Sequence, residues 1–135
     1  MNIRKAMQLT LAALLLTIFG QSLYAQRKAN WEYLGESNVD GLADHDRIKI
    51  GRDDGRFRAI QIHVERAPIT FQRVVVHYGN GGDEQIAIRN RINAGGKTRV
   101  IDLRGRDRVI DSVEIWYAKA KWLSAKPKLR LFGLR

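Results

Sequence analysis

Hydrophobic and polar residues alternate with a period of two over most of residues 26–135. In 57–65, the residues Ile60, Ile62 and Val64 fall on one face of an extended strand, and polar side chains alternate with them. No window after residue 25 has the apolar stripe of an amphipathic helix. The pattern therefore predicts an all-β domain.

Eight strands are predicted, separated by turns rich in glycine, asparagine and aspartate. They are 31–34, 47–50, 57–65, 69–78, 85–92, 98–103, 108–119 and 127–132. Because most of these strands are apolar on one face only, two sheets must cover each other. We expect a single antiparallel β-sandwich of about eight strands, with a jelly roll as its variant and a small closed barrel as the alternative.

Some strands also carry signals about their place in a sheet. The short turns favour hairpins, and the turn Arg66-Ala67-Pro68 predicts one between 57–65 and 69–78. The strand 108–119 is apolar on both faces, which predicts a central position. The last strand carries Pro127 and alternating cations, which predicts an edge. For the large aromatics we expect Trp31 and Trp116 in the core and Trp122 partly exposed.

The N-terminal residues have the layout of a signal peptide. Arg4 and Lys5 precede an uncharged segment, 6–19, which is shorter than the ~20 residues of a membrane-spanning helix. We expect cleavage after Ala25, a mature domain at 26–135 with no transmembrane segment, and a periplasmic or secreted location. The absence of cysteine excludes disulfides, thiol catalysis and a lipid anchor on cysteine.

The chain is strongly basic, with 24 Lys and Arg against 14 Asp and Glu and a formal charge of +10. Cleavage after Ala25 would remove two cations and leave +8. The cations are concentrated in 89–108, which holds seven bases and two acids. Guanidinium groups match carboxylates and phosphates in geometry, so this segment is a candidate anion-binding surface.

Six arginines are the candidate ligand-binding residues, namely Arg89, Arg91, Arg99, Arg104, Arg106 and Arg108. For an exported protein we expect an anionic envelope ligand, such as an acidic glycan or a lipid head group. The alternative is a solvated surface whose arginines pair with nearby carboxylates. Nucleic acid is not expected, because no nucleic-acid-binding motif is present and the signal directs the chain out of the cytoplasm.

An acidic stretch offers a second hypothesis, because Asp40, Asp44 and Asp46 lie within seven residues of a predicted loop. Calcium prefers such oxygen ligands, and a calcium-assisted carbohydrate-binding domain is the alternative function. The spacing does not match an EF-hand, and loop aspartates more often accept hydrogen bonds from backbone N–H groups. No other cofactor is expected.

Catalytic motifs are absent from the sequence, and we expect that the protein is not an enzyme. His63 and His77 suggest a zinc site, but the expected hairpin register sets them far apart, and the sequence nominates no third ligand. The remaining alternative is an envelope module for protein–protein interaction, which an exposed apolar patch or an unpaired edge strand would favour.

Several short segments together resemble a known family. They are Trp31, Leu34-Gly35, 46–51, 55–60, Tyr78-Gly79-Asn80-Gly81, 94–103 and 108–113. The chain resembles a family of small exported bacterial proteins that are grouped only as a domain of unknown function. This resemblance implies an exported all-β domain and supplies no reaction and no site residue.

Overall fold

The computed structural model describes residues 29–41, 44–118 and 125–135, so the predicted signal peptide 1–25 and Trp122 lie outside the described residues. Ten strands form two antiparallel sheets, and the described residues contain one short 3-10 turn, Arg52–Asp54, and no α-helix. The strands are β1 (Trp31–Asn38), β2 (His45–Lys49), β3 (Arg56–Phe57), β4 (Ala59–Glu65), β5 (Ile69–Tyr78), β6 (Asp83–Ile86), β7 (Arg91–Ile92), β8 (Ile101–Asp102), β9 (Arg108–Tyr117) and β10 (Lys128–Leu134). The predicted all-β sandwich is confirmed.

The two sheets differ in size. The four-stranded sheet has the order β1-β10-β4-β8. The six-stranded sheet has the order β2-β9-β5-β6, with β3 added beside β9 and β7 added beside β5. Among the described residues, no helix is long and apolar enough to cross a membrane.

The core lies between the two sheets, where their apolar faces meet. Ile60 and Ile62 of β4 are fully buried on the inner face of the smaller sheet. Val74 of β5 and Val113 and Ile115 of β9 are fully buried on the inner face of the larger sheet. Each buried aliphatic side chain of this size contributes about 1.5–3 kcal/mol to folding, so the alternation seen in the sequence stabilises the sandwich directly.

The hairpin predicted between 57–65 and 69–78 is wrong; these segments correspond to β4 and β5. β4 pairs with β10 and β8, whereas β5 pairs with β9, β6 and β7, so the two strands belong to different sheets. The connection passes through Arg66, whose φ of 72° is in the left-handed region, and Pro68. Both strands bury one apolar face, and crossing between the sheets lets those faces pack against each other. His63 and His77 consequently lie on different sheets.

The predicted edge position of the last strand is also wrong, because β10 lies between β1 and β4. Pro127 precedes the strand, so its missing N–H removes no bond from the ladder. The alternating cations have partners on the neighbouring strands: Lys128 lies 2.7 Å from Glu36, and Arg130 lies 3.4 Å from Glu65. The central position predicted for 108–119 is confirmed, since β9 lies between β2 and β5.

Candidate anion-binding site

The outer face of the six-stranded sheet carries charged and aromatic side chains in rows across its strands. In one row, Trp116 of β9 is opposite His45 of β2 and Arg73 of β5. In the next row, Glu114 of β9 is opposite Arg47 of β2. Directly opposed side chains are about 4.5–5.5 Å apart at Cβ, so each row brings these groups into contact.

A bulge in β5 places Arg73 on this outer face. Phe71 and Val74 are both buried, and they are three positions apart. In a regular strand, residues on the same face are two or four positions apart. The pairing with β9 shifts register between Phe71 and Arg73. The extra residue changes the phase of the strand and turns the Arg73 side chain outward.

The indole ring of Trp116 lies between two cationic or titratable groups. The Arg73 guanidinium carbon is 4.0 Å from the centre of the ring, and the His45 ring is stacked at 5.0 Å between centroids. Since β9 lies between β2 and β5, these two contacts use the two sides of the indole. Trp116 is therefore half-buried on the outer face, and its predicted place in the core is wrong. It holds Arg73 in one orientation through a cation–π contact.

An open groove of about 520 Å³ runs along β5 and the edge beyond it. We call it the arginine groove and define it by its lining residues Thr70, Phe71, Gln72, Arg73, Gln85, Ala87 and Arg89. This lining combines two guanidinium groups, two amides and one hydroxyl, and it contains no carboxylate. Arg91 is directly opposite Thr70 in the β5–β7 ladder, which adds a third arginine next to the groove.

The same outer face has a second charged region, which we call the Glu114 cluster and define as Arg47, His77, Asp83 and Glu114. Arg47 Nη2 and His77 Nε2 both approach Glu114 Oε1, at 2.5 and 2.6 Å. His77 Nδ1 is 2.6 Å from Asp83 Oδ1. Both ring nitrogens of His77 thus face carboxylates, and only the protonated imidazolium can donate to both.

The protonation equilibria follow from these contacts. Burial alone would lower the pKa of His77, but hydrogen bonds to Asp83 and Glu114 outweigh it and raise the pKa above its usual 6.5. Burial would raise the pKa of Glu114, but hydrogen bonds from Arg47 and His77 outweigh it and lower the pKa. The cluster is an ionic network whose members stabilise one another's charged forms.

The six predicted ligand-binding arginines do not form one surface. Arg89 and Arg91 lie beside the groove at the start of β5, next to Thr70. Arg104, Arg106 and Arg108 lie in and after the turn between β8 and β9, which meets β5 at its other end, near Tyr78. From Thr70 to Tyr78, a strand rising about 3.3 Å per residue extends about 26 Å.

Arg99 lies in the segment that runs beside β4 of the four-stranded sheet. Its neighbour Thr98 donates its backbone N–H to the carbonyl of Ile62 on β4. Within the described part of the chain, none of the six arginines is in an ion pair with a carboxylate; the carboxylates that form such pairs do so with other cations, as Glu114 does with Arg47. A binding role for the six arginines stays a prediction.

The three predicted calcium ligands lie near the start of β2. Asp46 accepts a hydrogen bond from the Tyr117 hydroxyl at 3.0 Å, and Asp44 contacts His45 Nδ1 at 2.9 Å. Across the described residues, no three His, Asp or Glu side chains are grouped so as to hold a metal ion. Calcium binding by Asp40, Asp44 and Asp46 stays a prediction.

Comparison with known proteins identifies the family. The profile of a family described as Domain of unknown function (DUF2541) matches residues 9–133. The chain belongs to the DUF2541 family. A search of curated proteins finds no match. The family description gives no activity, so the DUF2541 groove and cluster have to be interpreted from their own geometry.

A solved structure shows the same kind of fold. The DUF2541 chain is similar to part of AlgX from Pseudomonas aeruginosa, with a TM-score of 0.55 and 16% sequence identity. The match covers 81% of this chain and 27% of the AlgX chain, so the DUF2541 chain spans about a quarter of that protein's length. At this identity the likeness concerns the fold alone.

Sequence reasoning missed Arg73, one of the two arginines that line the groove. A signal was present, because the apolar pattern of the strand changes phase between Phe71 and Val74. A phase change within one strand indicates a bulge, and a bulge turns an intervening side chain to the other face. The cation density along 89–108 identified Arg89 and Arg91, but Arg73 lies outside that segment.

Proposed function

We propose that this protein is a binding module for an acidic glycan at the cell envelope, and that the arginine groove holds the glycan's carboxylates. The observation that carries this proposal is the convergence of Arg73 and Arg89, with Arg91 adjacent, in a groove without a carboxylate. Each guanidinium presents a planar fork of donors that fits a carboxylate bidentately. The location at the envelope rests on the predicted signal peptide.

The other lining groups favour a sugar over a simple anion. Gln72, Gln85 and Thr70 supply amide and hydroxyl groups that donate and accept hydrogen bonds, as sugar hydroxyls require. The groove volume of about 520 Å³ lies inside the usual range of about 300–1,000 Å³ for ligand sites. Both sides of the Trp116 ring are already in contact with His45 and Arg73, so the indole supports Arg73 and does not stack on the sugar.

The experiment measures retention of the protein on an immobilised polyuronate across a NaCl series. We expect retention that weakens with salt, and an affinity about a hundredfold lower for the double variant Arg73→Gln/Arg89→Gln. This estimate assigns about 1.5 kcal/mol to each charge-assisted bond, and 1.4 kcal/mol is a factor of ten.

The matched control is Arg99→Gln/Arg106→Gln, which removes the same charge away from the groove. If both double variants lose retention equally, binding depends on net charge alone and the groove has no special role. A neutral glucan matrix provides the second control, and equal retention there would contradict recognition of carboxylates.

A further inference from the structure

A smaller pocket lies at the other end of β5, and Gly79 of its lining is six residues, about 20 Å along the strand, from Arg73 of the groove. We call it the end pocket and define it by its lining residues Arg56, Gly79, Asn80, Arg108 and Val109. Its volume is about 320 Å³, at the small end of the range for ligand sites. Two of its five lining residues are arginines from different strands, Arg56 of β3 and Arg108 of β9.

The Arg108 side chain is held in place by contacts on several sides. Its guanidinium carbon is 3.6 Å from the centre of the Tyr78 ring, and Nη1 donates to the carbonyl of Arg104 at 2.9 Å. Nη2 lies 3.4 Å from Asn80 Oδ1. A guanidinium carries five N–H donors, so these two bonds leave donors for a ligand. A fixed arginine loses little conformational entropy on binding.

The turn that supports Arg108 is built around a glycine. Gly105 has a φ of 88°, in the left-handed region, and a Cβ there would lie 3.3 Å from the Cδ of Arg108. Glycine thus satisfies the backbone conformation and leaves room for the arginine stem. The turn fixes the guanidinium against Tyr78.

Arg56 is the second cation of the end pocket, and it is only weakly neutralised. Its Nη1 donates to the carbonyl of Asp107 at 3.1 Å and is 3.8 Å from the Asp107 carboxylate. Both side chains of this pair are largely exposed, and such pairs contribute about 0–1 kcal/mol. An oxyanion that contacts both arginines replaces this weak attraction with charge-assisted hydrogen bonds.

We propose that the end pocket is a second anion site, separate from the arginine groove, and that it takes the terminal tetrahedral oxyanion of a small phosphate or sulfate monoester through Arg56 and Arg108. Two arginines that line one small pocket fit a compact group with three terminal oxygens. The long groove, with its amides and hydroxyl, has different chemistry. The end-pocket proposal does not depend on the function proposed for the groove.

The experiment titrates the full protein with a sugar phosphate and, separately, a sugar sulfate, and follows the backbone amide resonances of Gly79, Asn80 and Val109. NaCl at matched ionic strength is the reference. We expect saturable shifts with at least one of the monoesters and none with chloride. The monoester that binds more tightly identifies the source of the oxyanion.

Two variants locate the binding. Arg108→Lys and Arg56→Lys keep the charge and remove the fork, and each should weaken binding about tenfold, equivalent to about 1.4 kcal/mol. Arg99→Lys is the matched control and should leave the affinity unchanged. Arg56 is exposed, so its variant tests the site even if Arg108→Lys destabilises the fold.

Equal resonance shifts with chloride, or an equal loss of monoester affinity in Arg99→Lys, would contradict the proposal that the end pocket is an anion site. Arg73→Gln separates the two proposals, because it should leave monoester binding intact while it weakens polyuronate binding. Loss of both binding activities in that variant would contradict two separate sites.

Discussion

Two regions on the outer face of the six-stranded sheet use charge in opposite ways. In the Glu114 cluster, the carboxylate contacts Arg47 and His77, and His77 also contacts Asp83. In the arginine groove, Arg73 and Arg89 face polar and apolar neighbours without a carboxylate among the lining residues. Paired charges of the first kind stabilise the fold, whereas guanidiniums of the second kind carry the glycan binding that we propose. Position on the same sheet does not decide which role a charge has.

Removing the central carboxylate of the cluster should have the largest effect on stability. Glu114 is almost buried, and Glu114→Ala leaves Arg47 and His77 without their shared acceptor. We expect a loss of about 2 kcal/mol in the free energy of unfolding, within the range for hydrogen bonds to charged groups, because half of the Arg47 side chain stays exposed to water. Urea denaturation measures it.

The control for this variant is Asp102→Ala, which removes one exposed carboxylate from β8 and should change stability by less than about 0.5 kcal/mol. Equal losses in the two variants would mean that the Glu114 cluster contributes nothing beyond overall charge.

The pH dependence of stability tests the same cluster through His77. Its folded-state pKa is raised above the usual 6.5, so its contribution is fully present below pH 6.5 and is lost as pH rises through the folded pKa. The lowered pKa of Glu114 has the opposite consequence: its contribution is present above the usual 4.5 and is lost as pH falls through the folded pKa. Stability from the cluster should therefore be greatest between about pH 4.5 and 6.5.

Two histidine variants sharpen this test, with urea denaturation repeated across pH. His77→Gln should remove the loss of stability on the alkaline side. His63 has a pKa lowered by burial and by nearby Lys97, so its contribution is present above pH 6.5 and is lost as pH falls. His63→Gln should thus change the profile in the opposite sense, and identical profiles for both variants would contradict the assignment.

The sequence was sufficient for the class of fold and insufficient for the pairing of its strands. Alternation such as that of Ile60, Ile62 and Val64 depends on local burial, so it is visible in the sequence. The ladders join distant segments: Glu32 near the start of β1 contacts Arg135 beyond the end of β10. Such contacts depend on which apolar faces meet in three dimensions, and no local pattern encodes them.

The candidate site was predicted only in part, for a related reason. Arg89 and Arg91 were identified from cation density, but the groove also needs Arg73, which a bulge in β5 turns outward. Arg99 was selected with them because it is close in sequence, although it lies beside β4 of the four-stranded sheet. Strand pairing decides which arginines lie next to each other, and the density of cations along the sequence gives no information about strand pairing.

The smallest expected effect on stability comes from giving the groove a carboxylate of its own. Gln85 lines the groove together with Arg73 and Arg89. It is opposite Val75, and Val75 is opposite Glu114. The substitution Gln85→Glu therefore adds a carboxylate to the groove, in the same row of the sheet as Glu114. An exposed ion pair contributes about 0.2–1 kcal/mol, so we expect stability equal to or slightly above that of the original protein. The new carboxylate pairs with the guanidiniums, and retention on the polyuronate should fall at least tenfold.

Asn38→Asp on β1 is the matched control, with the same change of charge on the other sheet, and it should retain binding. If Gln85→Glu binds the polyuronate as well as the original protein does, unpaired arginines are not what makes the groove different from the cluster.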